Sequence, residues 1–168
     1  MPLSKKLTKR LLRRLLPQPM PARHAEYSML FSADDDAGRP SPFLISLALE
    51  AIQQARTISL ADVSGRMTDE PRFPDIWPGE TYKLLAALVM LQRPASILEI
   101  GTGGGTSTLT MKRFLPPRGK LVTFDVVGWR AYEGTLLREE DFRDGRLVQY
   151  TDDVSQPEGF AKHRALFE

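Results

Sequence analysis

Three short apolar runs alternate with helix-forming segments in the second half of the chain. The runs are residues 96–100 (SILEI), 120–126 (KLVTFDV) and 146–150 (RLVQY). The segments between and after them, residues 105–115, 131–142 and 157–167, have the composition of helices. Strands that alternate with helices form a parallel sheet with right-handed crossovers. The alternation therefore predicts an α/β fold with about three parallel strands.

Two further helices and a long loop are predicted before the first strand. Ser41 and Pro42 provide an N-cap and a first-turn proline for a helix up to residue 55, whose apolar residues predict burial. Residues 80–92 have leucines at helical spacing. Between these helices, residues 61–79 are irregular. A loop of this length is typical of a lid or binding loop, or it is pinned to the core by its apolar residues, Phe73, Ile76 and Trp77.

The first 16 residues carry six Lys and Arg and no acid, and their leucines share one face of a helix. This pattern predicts a basic amphipathic helix, for which three interpretations stay open. The helix binds a membrane surface or an acidic partner, it is an organellar targeting segment, or its leucine face docks on the body or on a second subunit. Residues 17–40, which open with alternating prolines, form a predicted linker. Without the six basic residues, the chain has 17 Lys and Arg against 21 Asp and Glu. The body therefore shows no basic footprint for nucleic acid.

The 168-residue chain contains no cysteine. Disulfides, thiolate metal sites and a cysteine nucleophile are excluded, and a reducing, cytoplasmic location is expected. No apolar run approaches the ~18–20 residues that span a bilayer.

A glycine-rich loop, residues 101–105, follows the first strand and opens a helix. In an open α/β sheet, ligands bind at the carboxyl ends of strands, and glycines let a ligand approach the backbone closely. Amides at the helix start favour an anionic group, and the hydroxyls of Thr106 and Ser107 add donors. The alternative is a tight turn without a ligand.

Three nucleotide-binding patterns compete for this loop. A P-loop requires a lysine that is absent here. A dinucleotide fingerprint requires a third glycine where Thr106 stands, and it has no need of Glu99. The pattern acid-x-Gly-x-Gly-x-Gly is matched by Glu99, Gly101, Gly103 and Gly105.

The stretch LEIGTGGGTSTLTMKRFLPPRGKLVTFD resembles motif I of class I S-adenosylmethionine-dependent methyltransferases. It is particularly similar to small-molecule O-methyltransferases of the catechol and caffeoyl-CoA type, in which Glu-x-Gly-(x)3-Gly-x-Ser-Thr/Ala precedes a helix, a Pro-rich turn and a strand that ends in an acid. The lead-in WPGETYKLLAALV is also similar. The resemblance covers about residues 75–168. It implies a Rossmann-like sheet, S-adenosylmethionine as cofactor and a small-molecule methyl acceptor.

The resemblance also implies roles for individual residues. Glu99 would hold the cofactor's amino group, and Ser107 its carboxylate. The loop would pass close to the amino-acid part of the cofactor. The loop residues implied are Gly101, Thr102, Gly103 and Gly105.

Asp125 ends the second strand, 24 residues after Gly101, where its carboxylate would bind the ribose diol. Asp153 and the Val154 N–H would bind the adenine, and Trp129 would pack on it. Other interpretations stay open: a strand-end cap for Asp125, a solvated turn for Asp152 and Asp153, and a core position for Trp129. His24 and His163 are expected to be surface or core residues.

The family's sheet has seven strands, and only about three are predicted here. We therefore expect residues 41–168 to be the incomplete N-terminal portion of a cofactor-binding domain, which is prone to aggregate or needs a partner, such as a second copy in a homodimer. Neither a catalytic base nor metal ligands can be assigned, although a divalent metal is possible in a full-length protein. The alternatives are a Rossmann-like binder of another nucleotide of the NAD type, and a non-catalytic remnant or interaction module.

Overall fold

The computed structural model describes residues 40–68, 74 and 81–168. The predicted basic helix over residues 1–16 and nearly all of the linker over residues 17–40 lie outside the described residues. So do Phe73, Ile76 and Trp77. The distribution of contacts within the chain divides it into two units between Ile45 and Ser46. Residues 46–168 form one of these compact units.

The core of this unit is a parallel sheet of three strands in the order β1-β2-β3: β1 Ser96–Ile100, β2 Lys120–Phe124 and β3 Leu147–Tyr150. Val122 in β2 pairs with Leu98 on one side and with Val148 on the other. Four of the five residues of β2 are buried, as expected of a strand covered on both faces. The predicted α/β class and its parallel sheet are confirmed.

Six helices accompany the sheet within the described residues. The predicted helix starts at residues 42, 105 and 157 are close to the observed starts at Pro42, Thr106 and Pro157. Ser41 caps the first helix, because its Oγ accepts the Leu44 N–H at 3.1 Å. Single 3₁₀ turns occur at Trp129–Ala131 and Arg164–Leu166. The helices are α1 Pro42–Ala55, α2 Ala61–Ser64, α3 Thr81–Gln92, α4 Thr106–Phe114, α5 Glu139–Phe142 and α6 Pro157–His163.

The side chains of β2 alternate between the two faces of the sheet, and each face is covered by other parts of the chain. Leu121, which is fully buried, belongs to the hydrophobic core formed with α3 and α4. Phe124 faces the other side, where its ring lies edge-on to His163 of α6 and stacks on Tyr150 and Phe167. Because the pairing is parallel, the carboxyl ends of the three strands lie at one edge of the sheet.

Three predictions about local structure were wrong. Residues 131–142 are not one helix: only Glu139–Phe142 is α-helical, and Gly134 has a φ of 72°. α1 is not broadly buried, since Leu49 and Ile52 are exposed and only Ala51 and Ala55 are buried. The segment after residue 60 begins with a helical turn, α2, rather than an irregular loop.

The longest helix that the structure describes has 14 residues, and none there is long and apolar enough to cross a membrane.

Candidate functional site

The glycine loop follows β1 and turns into α4 through three positive-φ glycines. Gly101, Gly103 and Gly105 have φ values of 92°, 48° and 83°. The N–H groups of Gly101 and Thr102 donate to the Phe124 carbonyl at 2.8 and 3.2 Å. Because L side chains rarely adopt this conformation, the sequence needs glycine here to pass from the strand into the helix.

Asp125 lies beside this loop, as predicted. Its Oδ2 accepts the Gly103 N–H at 2.9 Å, and its Oδ1 accepts the Val127 N–H at 3.0 Å. The Gly103 bond, followed by that of Val127, holds the pKa of Asp125 below its ordinary value, although partial burial opposes the shift. A carboxylate offers about four acceptor positions, and these hydrogen bonds occupy two of them, while the backbone N–H groups of Val126 and Thr102 contribute further to the lowered pKa. The strand-end cap and the ligand-binding role are therefore compatible.

Glu99 of β1 is tied to the first turn of α4. Its Oε1 accepts the Ser107 hydroxyl and its Oε2 accepts the Thr108 hydroxyl, both at 2.5 Å. Ser107 thus donates its hydrogen bond to Glu99 in this structure, whereas the resemblance implied that it donates to a cofactor carboxylate. The sequence analysis gave no role to Thr108, although Thr108 is the last residue of the motif Glu-x-Gly-(x)3-Gly-x-Ser-Thr/Ala, and that position was the available signal.

Thr102 is buried and supports the loop from beneath. Its Oγ1 lies 2.8 Å from the Thr123 Oγ1 and accepts the Gln149 Nε2 at 2.9 Å. Gln149 also accepts the Trp129 N–H at 2.8 Å. This network joins the ends of all three strands, and sequence reasoning missed Thr123 and Gln149. The signal was a polar residue inside each of two apolar strands.

A cleft of about 200 Å³ opens at the carboxyl ends of the strands. It brings together four residues predicted for the site: Gly101, Asp125, Asp153 and Val154. Asp153 is exposed and accepts both the N–H and the hydroxyl of Ser155, which lower its pKa. The remaining lining residues are Ile100, Phe124, Val126, Asp152 and Ser155.

Trp129 does not line this cleft. Its ring stacks on Phe142, with centroids 5.1 Å apart, and the Arg130 guanidinium lies 4.5 Å from the ring centroid. It packs against the hydrophobic core and borders a separate cleft of about 390 Å³ beside β3. Of its two predicted roles, these contacts fit the core position better than the adenine wall.

His163 is a core residue with a partner that the sequence did not reveal. Its Nε2 lies 2.7 Å from the Asp152 Oδ2, and its ring is only 8% exposed. Lys162 donates to the other oxygen of Asp152 at 2.8 Å. Lys162 and His163 lower the pKa of Asp152, so all three carboxyl groups that line the cleft have a pKa below its ordinary value.

No group of three or more metal-ligating side chains occurs in the described part of the chain.

No family profile matches the chain, and no curated protein matches it. Among solved structures, it matches the O-methyltransferase TomG from Streptomyces achromogenes, involved in tomaymycin synthesis and in complex with S-adenosylmethionine, at 31% identity and a TM-score of 0.36; the match covers 60% of this chain and 41% of that one. An O-methyltransferase from Bacillus cereus, in complex with S-adenosylhomocysteine, matches at 27% identity and a TM-score of 0.36, with 62% and 42% covered. A proposed O-methyltransferase from Klebsiella pneumoniae matches at 22% identity and a TM-score of 0.32, with 86% and 49% covered.

The chain spans less than half the length of each of these three structures. Because every TM-score is below 0.5, the site described above stands on this chain's own geometry. The chain is similar in sequence to O-methyltransferases of known structure over about 60% of its length.

Proposed function

We propose that this chain is the cofactor-binding part of an S-adenosylmethionine-dependent methyltransferase that methylates an oxygen of a small molecule. The observation that carries the proposal is the position of Asp125. Its carboxylate is fixed by the Gly103 N–H at 2.9 Å and lies in one cleft with Gly101, Asp153 and Val154.

The residues at the cleft suit this cofactor. The Asp125 carboxylate would bind a ribose diol. Val126 and Val154 give the cleft an apolar wall for a base, and the Asp153 carboxylate beside them would accept an amino group. Glu99, two residues before Gly101, would add negative charge for the cationic amino group.

When bound, the cofactor supplies an electrophilic methyl group next to a sulfonium. The chain's residues would hold it in a fixed orientation, and a rigid site accelerates transfer chiefly through proximity and alignment. The strand ends are tied together for this purpose, since the buried Thr102 just after β1 bonds Thr123 of β2 and Gln149 of β3. The methyl acceptor, the homodimer and the cytoplasmic location remain predictions from the sequence.

The test is calorimetric titration of S-adenosylhomocysteine into the wild-type chain and into Asp125→Ala. Two charge-assisted hydrogen bonds are worth about 1.5–3 kcal/mol each, so we expect the Kd of the variant to rise about 100-fold or more. The control is Glu50→Ala, because Glu50 is an exposed carboxylate on α1 that does not line the cleft. Equal affinities for the wild type and Asp125→Ala would contradict the proposed site.

A further inference from the structure

A strap of six residues, 132–137, lies against the glycine loop. The Leu136 N–H donates to the Gly104 carbonyl at 2.8 Å. Leu137 fills the space where Gly105 lacks a side chain: a Cβ on Gly105 would be only 2.5 Å from the Leu137 Cγ. At the other end, Tyr132 lies over Gly103, whose Cβ would be 3.8 Å from the Tyr132 hydroxyl oxygen. The strap thus contacts three consecutive glycines.

Arg66 holds the strap from the opposite side. It lies just after α2, 70 residues before Leu136 in the chain, and its Nη1 donates to the Leu136 carbonyl at 3.0 Å. The same guanidinium binds both oxygens of Asp141, at 2.6 and 2.9 Å. Asp141 in turn accepts the Arg138 N–H at 2.8 Å, just where the strap ends. One planar side chain therefore fixes the end of the strap and the helix α5 that follows it.

This ion pair is sheltered. The side chains of Arg66 and Asp141 are 21% and 9% exposed. Burial raises the pKa of Asp141, but the Arg66 and Arg138 hydrogen bonds outweigh it, so the pKa lies below its ordinary value. Bidentate arginine–carboxylate pairs add directional precision as well as energy. The pair is suited to setting the position of the strap.

The glycine loop needs such a support. Glycine has the largest conformational freedom of any residue, and this loop contains four glycines in five positions. Asp125 accepts the Gly103 N–H and so restrains that residue. The two glycines that follow are restrained by the strap: the Gly104 carbonyl accepts the Leu136 N–H, and the Leu137 side chain fills the space beside Gly105. A displaced strap would release both contacts.

We propose that Arg66 is a positioning residue for the cofactor site: it holds the strap against the glycine loop, so its loss weakens ligand binding although Arg66 does not line the cleft. The ligand named in the test rests on the proposed function. The coupling between Arg66 and the loop does not, because it is measured without a ligand.

The test compares Arg66→Gln with the wild type in two measurements. Hydrogen exchange on the free protein is expected to show at least tenfold faster exchange of the Leu136 amide, with the β2 amides unchanged. Titration with S-adenosylhomocysteine is expected to show a Kd raised about tenfold or more. The control is Arg164→Gln, which removes an exposed arginine–carboxylate pair with Glu168, neither of which belongs to the strap or lines the cleft, and it should change neither quantity.

Unchanged exchange at Leu136, or exchange that rises equally in β2, would overturn the positioning role, since the second result indicates global destabilisation alone. Unchanged affinity in a variant with faster Leu136 exchange would overturn it as well. Absence of binding by the wild type would instead contradict the proposed function. If Arg66→Gln does not fold, Arg66→Lys keeps the charge but not the bidentate geometry, and the same exchange comparison applies.

Discussion

Replacing Gly105 with alanine tests the packing of the strap on the glycine loop. Gly105 has a φ of 83°, which costs a non-glycine residue about 1–3 kcal/mol. The new Cβ would also lie 2.5, 2.9 and 3.1 Å from three carbons of Leu137, a clash of the kind that costs about 1–3 kcal/mol. We expect Gly105→Ala to lower the free energy of unfolding by about 2–6 kcal/mol.

Gly145→Ala separates the two contributions. Gly145 has a similar φ of 68°, but nothing lies within 4 Å of the position that its Cβ would take. Urea unfolding followed by circular dichroism gives both free energies, with slopes of about 1–3 kcal/mol per molar. Gly105→Ala should cost about 1–3 kcal/mol more than Gly145→Ala, which is the contribution of the clash. Equal costs would refute the contact between Leu137 and the loop.

Two further changes test the supports of the site. Thr123→Val removes a buried hydroxyl that bonds Thr102, so the unfolding free energy should fall by about 1–3 kcal/mol in urea; no fall would contradict the network. The pKa of Asp141 lies below its ordinary 3.8, so its carboxylate contributes stability that is complete above about pH 4 and is lost as the pH falls through the folded value. Asp141→Asn should therefore flatten the fall in thermal midpoint below pH 4; a wild-type slope in the variant would contradict this.

The sheet and the main binding candidates could be predicted from the sequence because their signals are local. β1, β2 and β3 are short apolar runs with breakers at both ends, and Asp125 lies directly after one of them. In a parallel sheet the strand ends share one edge, so the acids that follow them meet at the same cleft. The cleft contains Asp125 and Asp153 as expected.

The strap could not be predicted because long-range contacts determine its conformation. The strap belongs to residues 131–142, which combine two leucines with charged residues and so have a helical composition. Gly134 was a local signal against a helix. The bonds that fix the end of the strap come from Gly104 and from Arg66, which is 70 residues from Leu136 in the chain. The roles of Thr102 and Trp129 depended in the same way on knowing their partners, Thr123 and Phe142.

The most direct test of the proposed function is the thermal midpoint of the wild-type chain with S-adenosylhomocysteine, NAD or ATP at equal concentrations. A ligand present at 100 times its Kd adds about 2.7 kcal/mol of stability, which shifts the midpoint by several degrees. We predict stabilisation by S-adenosylhomocysteine and none by NAD or ATP. Stabilisation by NAD without any by S-adenosylhomocysteine would contradict the account and favour a dinucleotide site.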